Sequence, residues 1–183
     1  ISSASSNLFL RSSATTSSTL SESLANNTYV SFTLTPGSGV QFSLQTLRLN
    51  HGASNSDTDA SFLTSLAVLS SVGGFTESSP VLATFTKDVA TGNGGAGITD
   101  PRVLDLTTFG STFTNLTAPV EFRFYFYDSV SSDNKIHRLD AVQLEGTTVI
   151  PEPSSLALVM MGAGGVFFRR SRGSSARKST PII

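Results

Sequence analysis

A chain of 183 residues has room for one ordinary domain with appendages. Only 14% of its residues are charged, Phe occurs 13 times and cysteine is absent, which excludes a disulfide framework, a thiolate metal site and a cysteine nucleophile. The net charge of −1 is uneven: residues 1–150 carry 7 Lys/Arg against 12 Asp/Glu, while residues 151–183 carry 5 against 1, so the acidic body offers no basic face for nucleic acid.

The chain begins at Ile1 without Met, and nothing in its opening residues combines a basic stretch with an apolar one, so an export leader is expected upstream. Residues 1–28 are rich in Ser and Thr around one apolar cluster, Leu8 to Leu10; they read equally as truncated first strands or as linker. From Tyr29 the pattern is clear, with Val30, Phe32 and Leu34 pointing one way and Ser31 and Thr33 the other. After the turn at residues 36–39, Val40, Phe42 and Leu44 alternate again, but Leu47 and Leu49 fall on the opposite parity. An extra residue near Gln45-Thr46, a β-bulge, restores the inward face.

Residues 50–61 read as a polar loop, followed by a strand from Phe62 to Ser71, a Gly73-Gly74 turn and a strand from Val81 to Thr86. Residues 91–97 are too rich in Gly for regular structure, and Val103 to Phe113 supplies one short strand and a turn. The two best strands come last, Val120 to Asp128 and Ile136 to Gly146. In the first, Phe122, Phe124 and Phe126 face a dry core, while Glu121, Arg123, Tyr125 and Tyr127 face outward. Strands at regular spacing without a long helical pattern predict an all-β sandwich over residues 29–147.

Three constellations bear on chemistry in the body. Asn55, Asp57 and Asp59 alternate oxygen ligands like the first half of a calcium loop, but no Gly and no Glu complete an EF-hand, and turn formation explains them as well. Arg123, Tyr125 and Tyr127 on the outward face suit a glycan, since aromatic faces stack on sugar rings while guanidinium donates to hydroxyls; cross-strand packing is the competing reading. His51, His137 and Asp140 carry no nucleophile motif with them, so no catalytic role, no enzyme activity and no cofactor is expected.

The end of the chain has a definite order. Pro151-Glu152-Pro153 and Ser154 stop the last strand, because proline donates nothing to a ladder. Residues 156–168 (LALVMMGAGGVFF) are uncharged, and Arg169, Arg170 and Arg172 open a basic tail, 169–183. As a helix these 13 residues rise about 20 Å against a hydrocarbon core of about 30 Å, a marginal transmembrane span that snorkelling arginines help to close.

Residues 151–172 resemble the PEP-CTERM sorting signal of Gram-negative bacteria. The body resembles the jelly-roll domains that accompany it, in the strand Arg138-Leu139-Asp140-Ala141-Val142-Gln143-Leu144-Glu145-Gly146 and in residues 65–86, where Gly73 stands in place of a common Asp. The resemblance implies a jelly-roll β-sandwich ectodomain, a linker at 148–155 and a single C-terminal hydrophobic helix. It also implies an exosortase as partner, transient anchoring in the inner membrane during export, and a cell-surface or matrix destination with extracellular polysaccharide. A structural or adhesive role is the expectation, and a carbohydrate-binding module the alternative.

Overall fold

Period-two alternation becomes strand throughout the body, because extended backbone places alternate side chains on opposite faces. The computed structural model describes residues 8–11, 17–54, 61–90, 98–130 and 136–150. The chain divides after Val149 into two units, Ile1–Val149 and Ile150–Ile183, and all the described residues except Ile150 belong to the first.

The strands are β1 (Leu8–Arg11), β2 (Tyr29–Leu34), β3 (Gln41–Ser54), β4 (Phe62–Ser70), β5 (Ala83–Val89), β6 (Ile98–Asp105), β7 (Val120–Asp128) and β8 (Ile136–Val149). A helix α1 (Leu20–Ala25) precedes β2, and a 3-10 segment, Leu106–Phe113, follows β6. One antiparallel sheet has the order β1-β8-β3-β6 and the other β2-β7-β4-β5. The pairings are nested: β4 pairs β5, β3 pairs β6, β2 pairs β7 and β1 pairs β8, so the chain doubles back as one ribbon about the β4–β5 turn. Lateral pairings β3–β8 and β4–β7 then fold this ribbon into two sheets.

The inner faces carry the main core. Phe42, Leu44, Leu47 and Leu49 of β3 meet Phe122, Phe124 and Phe126 of β7 and Leu66 and Val68 of β4. The expected bulge is present: Leu44 pairs Gly146 and Thr46 pairs Glu145, leaving Gln45 as the extra residue, so all four β3 side chains point inward. A second bulge lies on β8, where Arg48 pairs Gln143 but Asn50 pairs Asp140. Ala141 sits there at φ 50, and Asp140 Oδ1 accepts a hydrogen bond from the Ala141 N–H at 2.6 Å. The parity break between Leu139 and Val142 is the sequence trace of this bulge.

Two expectations are corrected, at 50–54 and at Val103, while the first strand read around Leu8 to Leu10 is present as β1 and a helix is added to it. Residues 50–54 are strand, not loop, because β3 continues between β6 and β8 and its backbone groups find partners on both sides. The segment 1–28 holds β1 and α1: Thr19 caps the helix by accepting from Glu22 N–H, and Glu22 Oε2 accepts in return from Ser18 N–H. The Thr19-x-x-Glu22 spacing of a capping box is the signal for it. The strand expected at Val103 begins at Ile98, and the 3-10 segment after it buries Leu106 and Phe113 under the core. The C-terminal hydrophobic helix, 156–168, lies outside the described residues, among which no helix is long and apolar enough to cross a membrane.

Candidate functional site

The outward face of β7 does not meet solvent as expected. Leu20 and Leu24, one turn apart on α1, share a face of the helix and pack with Phe75 on a second apolar cluster of Ala67, Leu69 and Tyr125. Ser23 Oγ fastens the helix by donating to the Phe126 carbonyl at 3.0 Å. Tyr125 is therefore only 1% exposed and presents no ring to a sugar. Tyr127 is half-buried against the same cluster.

Arg123 is held as firmly. Its guanidinium carbon lies 3.8 Å from the centroid of Phe75 and 4.3 Å from that of Tyr29, and Nε donates to Glu121 Oε1 at 2.9 Å. The Arg123 partner keeps the Glu121 carboxyl below its usual range, and Glu121 raises the arginine further above its already high value. This arrangement cross-braces β2, β7 and the turn after β4, so of Arg123, Tyr125 and Tyr127, the residues expected to meet a glycan, Tyr125 is buried and Arg123 is engaged within the fold. Arg123→Ala is expected to destabilise the protein by about 2 kcal/mol, since it removes two cation–π contacts and the stem that fills between the rings. Urea unfolding of the full chain measures this. Unchanged stability with lost polysaccharide binding would restore the glycan reading.

The two histidines, remote in sequence, come together inside the sandwich. Going along the inner face of β7 past Phe122, Phe124 and Phe126, the next inward residue is Asp128, fully buried. Its Oδ2 lies 3.3 Å from His137 Nε2 on β8, within ion-pair range but off hydrogen-bond geometry. Thr64 Oγ1 of β4 is 3.3 Å from His137 Nδ1. His51 on β3 is 0% exposed, and neither of its ring nitrogens has a hydrogen-bond partner among the described residues. Burial, together with His137, Arg102 and Lys87, lowers its pKa to about 3. Thr64 and Asp128 were missed in sequence; Asp128 was legible as an inward position, being in phase with the three phenylalanines.

Beside this band, Lys87 Nζ of β5 meets Asp100 Oδ1 of β6 at 2.5 Å, and Arg102 donates to the Thr86 carbonyl at 2.7 Å, closing the β5–β6 side between the sheets. Among the described residues no three His, Asp or Glu are placed to hold a metal ion. Asn55, Asp57 and Asp59 lie outside the described residues, as do Pro151, Glu152, Pro153, Ser154, Arg169, Arg170 and Arg172. Asp140 stands apart from the two histidines in role, serving the β8 bulge.

The last strand leaves its sheet at Val149, opposite Gln41, and Ile150 beyond it is 73% exposed. A match to the PEP-CTERM protein-sorting motif covers residues 149–172. No curated protein matches the chain. Among solved structures, that of infectious bursal disease virus strain Gx is similar over 83% of this chain and 31% of its own, at 11% identity and a TM-score of 0.33. That of strain Gt is similar over 81% and 34%, at 12% identity and a TM-score of 0.25, so the chain spans about a third of the length of each. The body thus ends where a sorting signal starts: the chain is a two-sheet antiparallel β-sandwich that carries a PEP-CTERM protein-sorting motif at residues 149–172.

Proposed function

We propose that this is an exported protein whose C-terminal segment is read and removed by an exosortase, leaving the sandwich as a structural or adhesive component of the cell surface or extracellular matrix. The observation that carries the reading is the sorting motif at 149–172, beginning at the final residue of β8. In this reading residues 156–168 anchor the chain in the inner membrane as a helix, and Arg169, Arg170 and Arg172 hold its end on the cytoplasmic side. Glu152, set between two prolines in a backbone that cannot join a sheet, is the element presented to the enzyme.

The body is a jelly roll in this reading, supported by eight strands whose nested pairing fills two four-stranded antiparallel sheets. Its partner outside the cell is the polysaccharide matrix, and the protein is a substrate of processing with no catalysis of its own. The covered face of β7 favours a mechanical role over glycan binding there. Intact mass of the surface-released protein tests the sorting: residues 156–183 are expected to be missing. Replacing Pro151, Glu152 and Pro153 together by Ala is expected to leave nearly all the chain uncut and membrane-held. Released wild-type protein that retains residues 156–183 would sink the reading.

A further inference from the structure

The inner face of the sandwich is not uniformly apolar along its length. From the end where Phe42, Phe113 and Phe122 pack, the core runs unbroken to Phe126 and Leu139. It then meets the polar band of His51, Thr64, Asp128 and His137. Beyond that band, among the described residues, Ala53, Phe62 and Val89 form a separate apolar cluster. An open surface pocket of about 460 Å³ is lined at the same end of β4 and β5 by Phe62, Leu63, Asp88, Val89 and Ser129. Among the described residues this cluster of three buries far less apolar area than the core of fifteen behind it.

The backbone has a boundary at the same level. The β3–β8 ladder is interrupted between Arg48 and Asn50, with Ala141 at φ 50, so the pairing Asn50–Ser54 with Ile136–Asp140 is a short segment of its own. A left-handed alanine stores strain that costs about 1 kcal/mol. The β6 partner of this segment includes Pro101, opposite Asn50, which supplies no N–H.

We propose that the tip of the sandwich is an acid-operated latch: protonation of His51 releases the strand ends 50–54, 98–102 and 136–140, together with β1, which pairs residues 136–139 on their other edge, about the β8 bulge, while the phenylalanine-rich end stays folded. Every charged or titratable group facing His51 bears on this. His137 approaches from β8, with Asp128 of β7 behind it; Lys87 comes from β5, and Asp100 and Arg102 from β6; β4 adds only the Thr64 hydroxyl. Two cations and a second histidine outweigh the one carboxylate that favours a charged His51. Among the described residues the imidazole also has no acceptor to receive a second N–H, so the proton is taken up in the open form.

The sign follows from linkage. His51 in the closed form has a pKa of about 3, against 6.5 when exposed, so the open form binds more protons throughout that interval and the closed form is lost as pH falls through it. One proton taken up on opening gives up to about a tenfold rise in the opening constant per pH unit, and because the exposed imidazole is half protonated at pH 6.5 the rise from pH 6.5 to 4.5 is about 50-fold.

Hydrogen exchange of the full chain, read by mass spectrometry and corrected for the intrinsic pH dependence of exchange, tests this. Peptides covering 50–54 and 136–140 are expected to show the rise of about 50-fold, and peptides covering 42–47 and 120–124 to stay protected. His51→Phe, uncharged and ring-shaped beside Phe126, is expected to abolish the rise; His51→Gln serves the same purpose if the phenylalanine is too large for the site. Exchange that is flat with pH, a rise shared equally by all four segments, or a rise that survives in the folded His51 variant would each overturn the latch. So would a rise that disappears in His137→Gln while persisting in His51→Gln.

Discussion

Gly146→Ala is expected to destabilise the body by about 3 kcal/mol, near the upper end of what overpacking costs. Gly146 lies opposite Leu44, where the Gln45 bulge pushes β3 toward β8. An added Cβ would run into the Ser43 carbonyl oxygen and come within 3.2 Å of Leu44 Cα. Both obstacles are backbone in a paired strand, so neither can swing aside as a side chain would. Gly37 is the control: its added Cβ meets only Val40 Cγ2, at 3.5 Å, and Gly37→Ala is expected to be neutral. Thermal or urea unfolding of the two full-length variants decides the matter. Equal stabilities would mean that the two strands do not approach as closely as the bulge requires.

Phe122→Ala is expected to cost still more, about 3–5 kcal/mol, a large part of the 5–15 kcal/mol typical of a domain. Phe122 is fully buried and stacks on both sides, with Phe32 of β2 at 5.3 Å and Phe113 of the 3-10 segment at 6.0 Å between centroids. The site cannot collapse, because its neighbours are rings fixed on two separate elements. Phe122→Leu keeps most of the apolar volume and loses the two ring pairs, so its expected cost is about 1–3 kcal/mol. Denaturant midpoints read the order of the two variants. A Phe122→Ala protein within 1 kcal/mol of wild type, by the usual scale of surface substitutions, would refute the placement of this ring at the centre of the core.

The same packing explains why the strand from Arg138 to Gly146 has its particular pattern. Leu139, Val142 and Leu144 face the core. Asp140 ties the bulge that lets Leu139 and Val142 share that face despite being three residues apart. Gly146 leaves room for the opposing bulge on β3. Each position answers to a contact with β3 or the core, which is why the motif was recognisable as a pattern before its reason was visible.

By itself the sequence determined the all-β class, the inward phase of β2, β3 and β7, the bulge at Gln45 and the sorting signal at the end of the chain. All of these are local: alternation over five or six residues, or a short motif read along the chain, needs no knowledge of what lies opposite. Tertiary structure alone decided that the far side of β7 is covered, because the leucines that cover it come from α1, about a hundred residues earlier. It alone set His51 beside Lys87, Asp100, Arg102 and His137, which come from three other strands. Whether a polar side chain in a strand is solvated or buried depends on those non-local neighbours, and a period of two says which way it points but never what it meets.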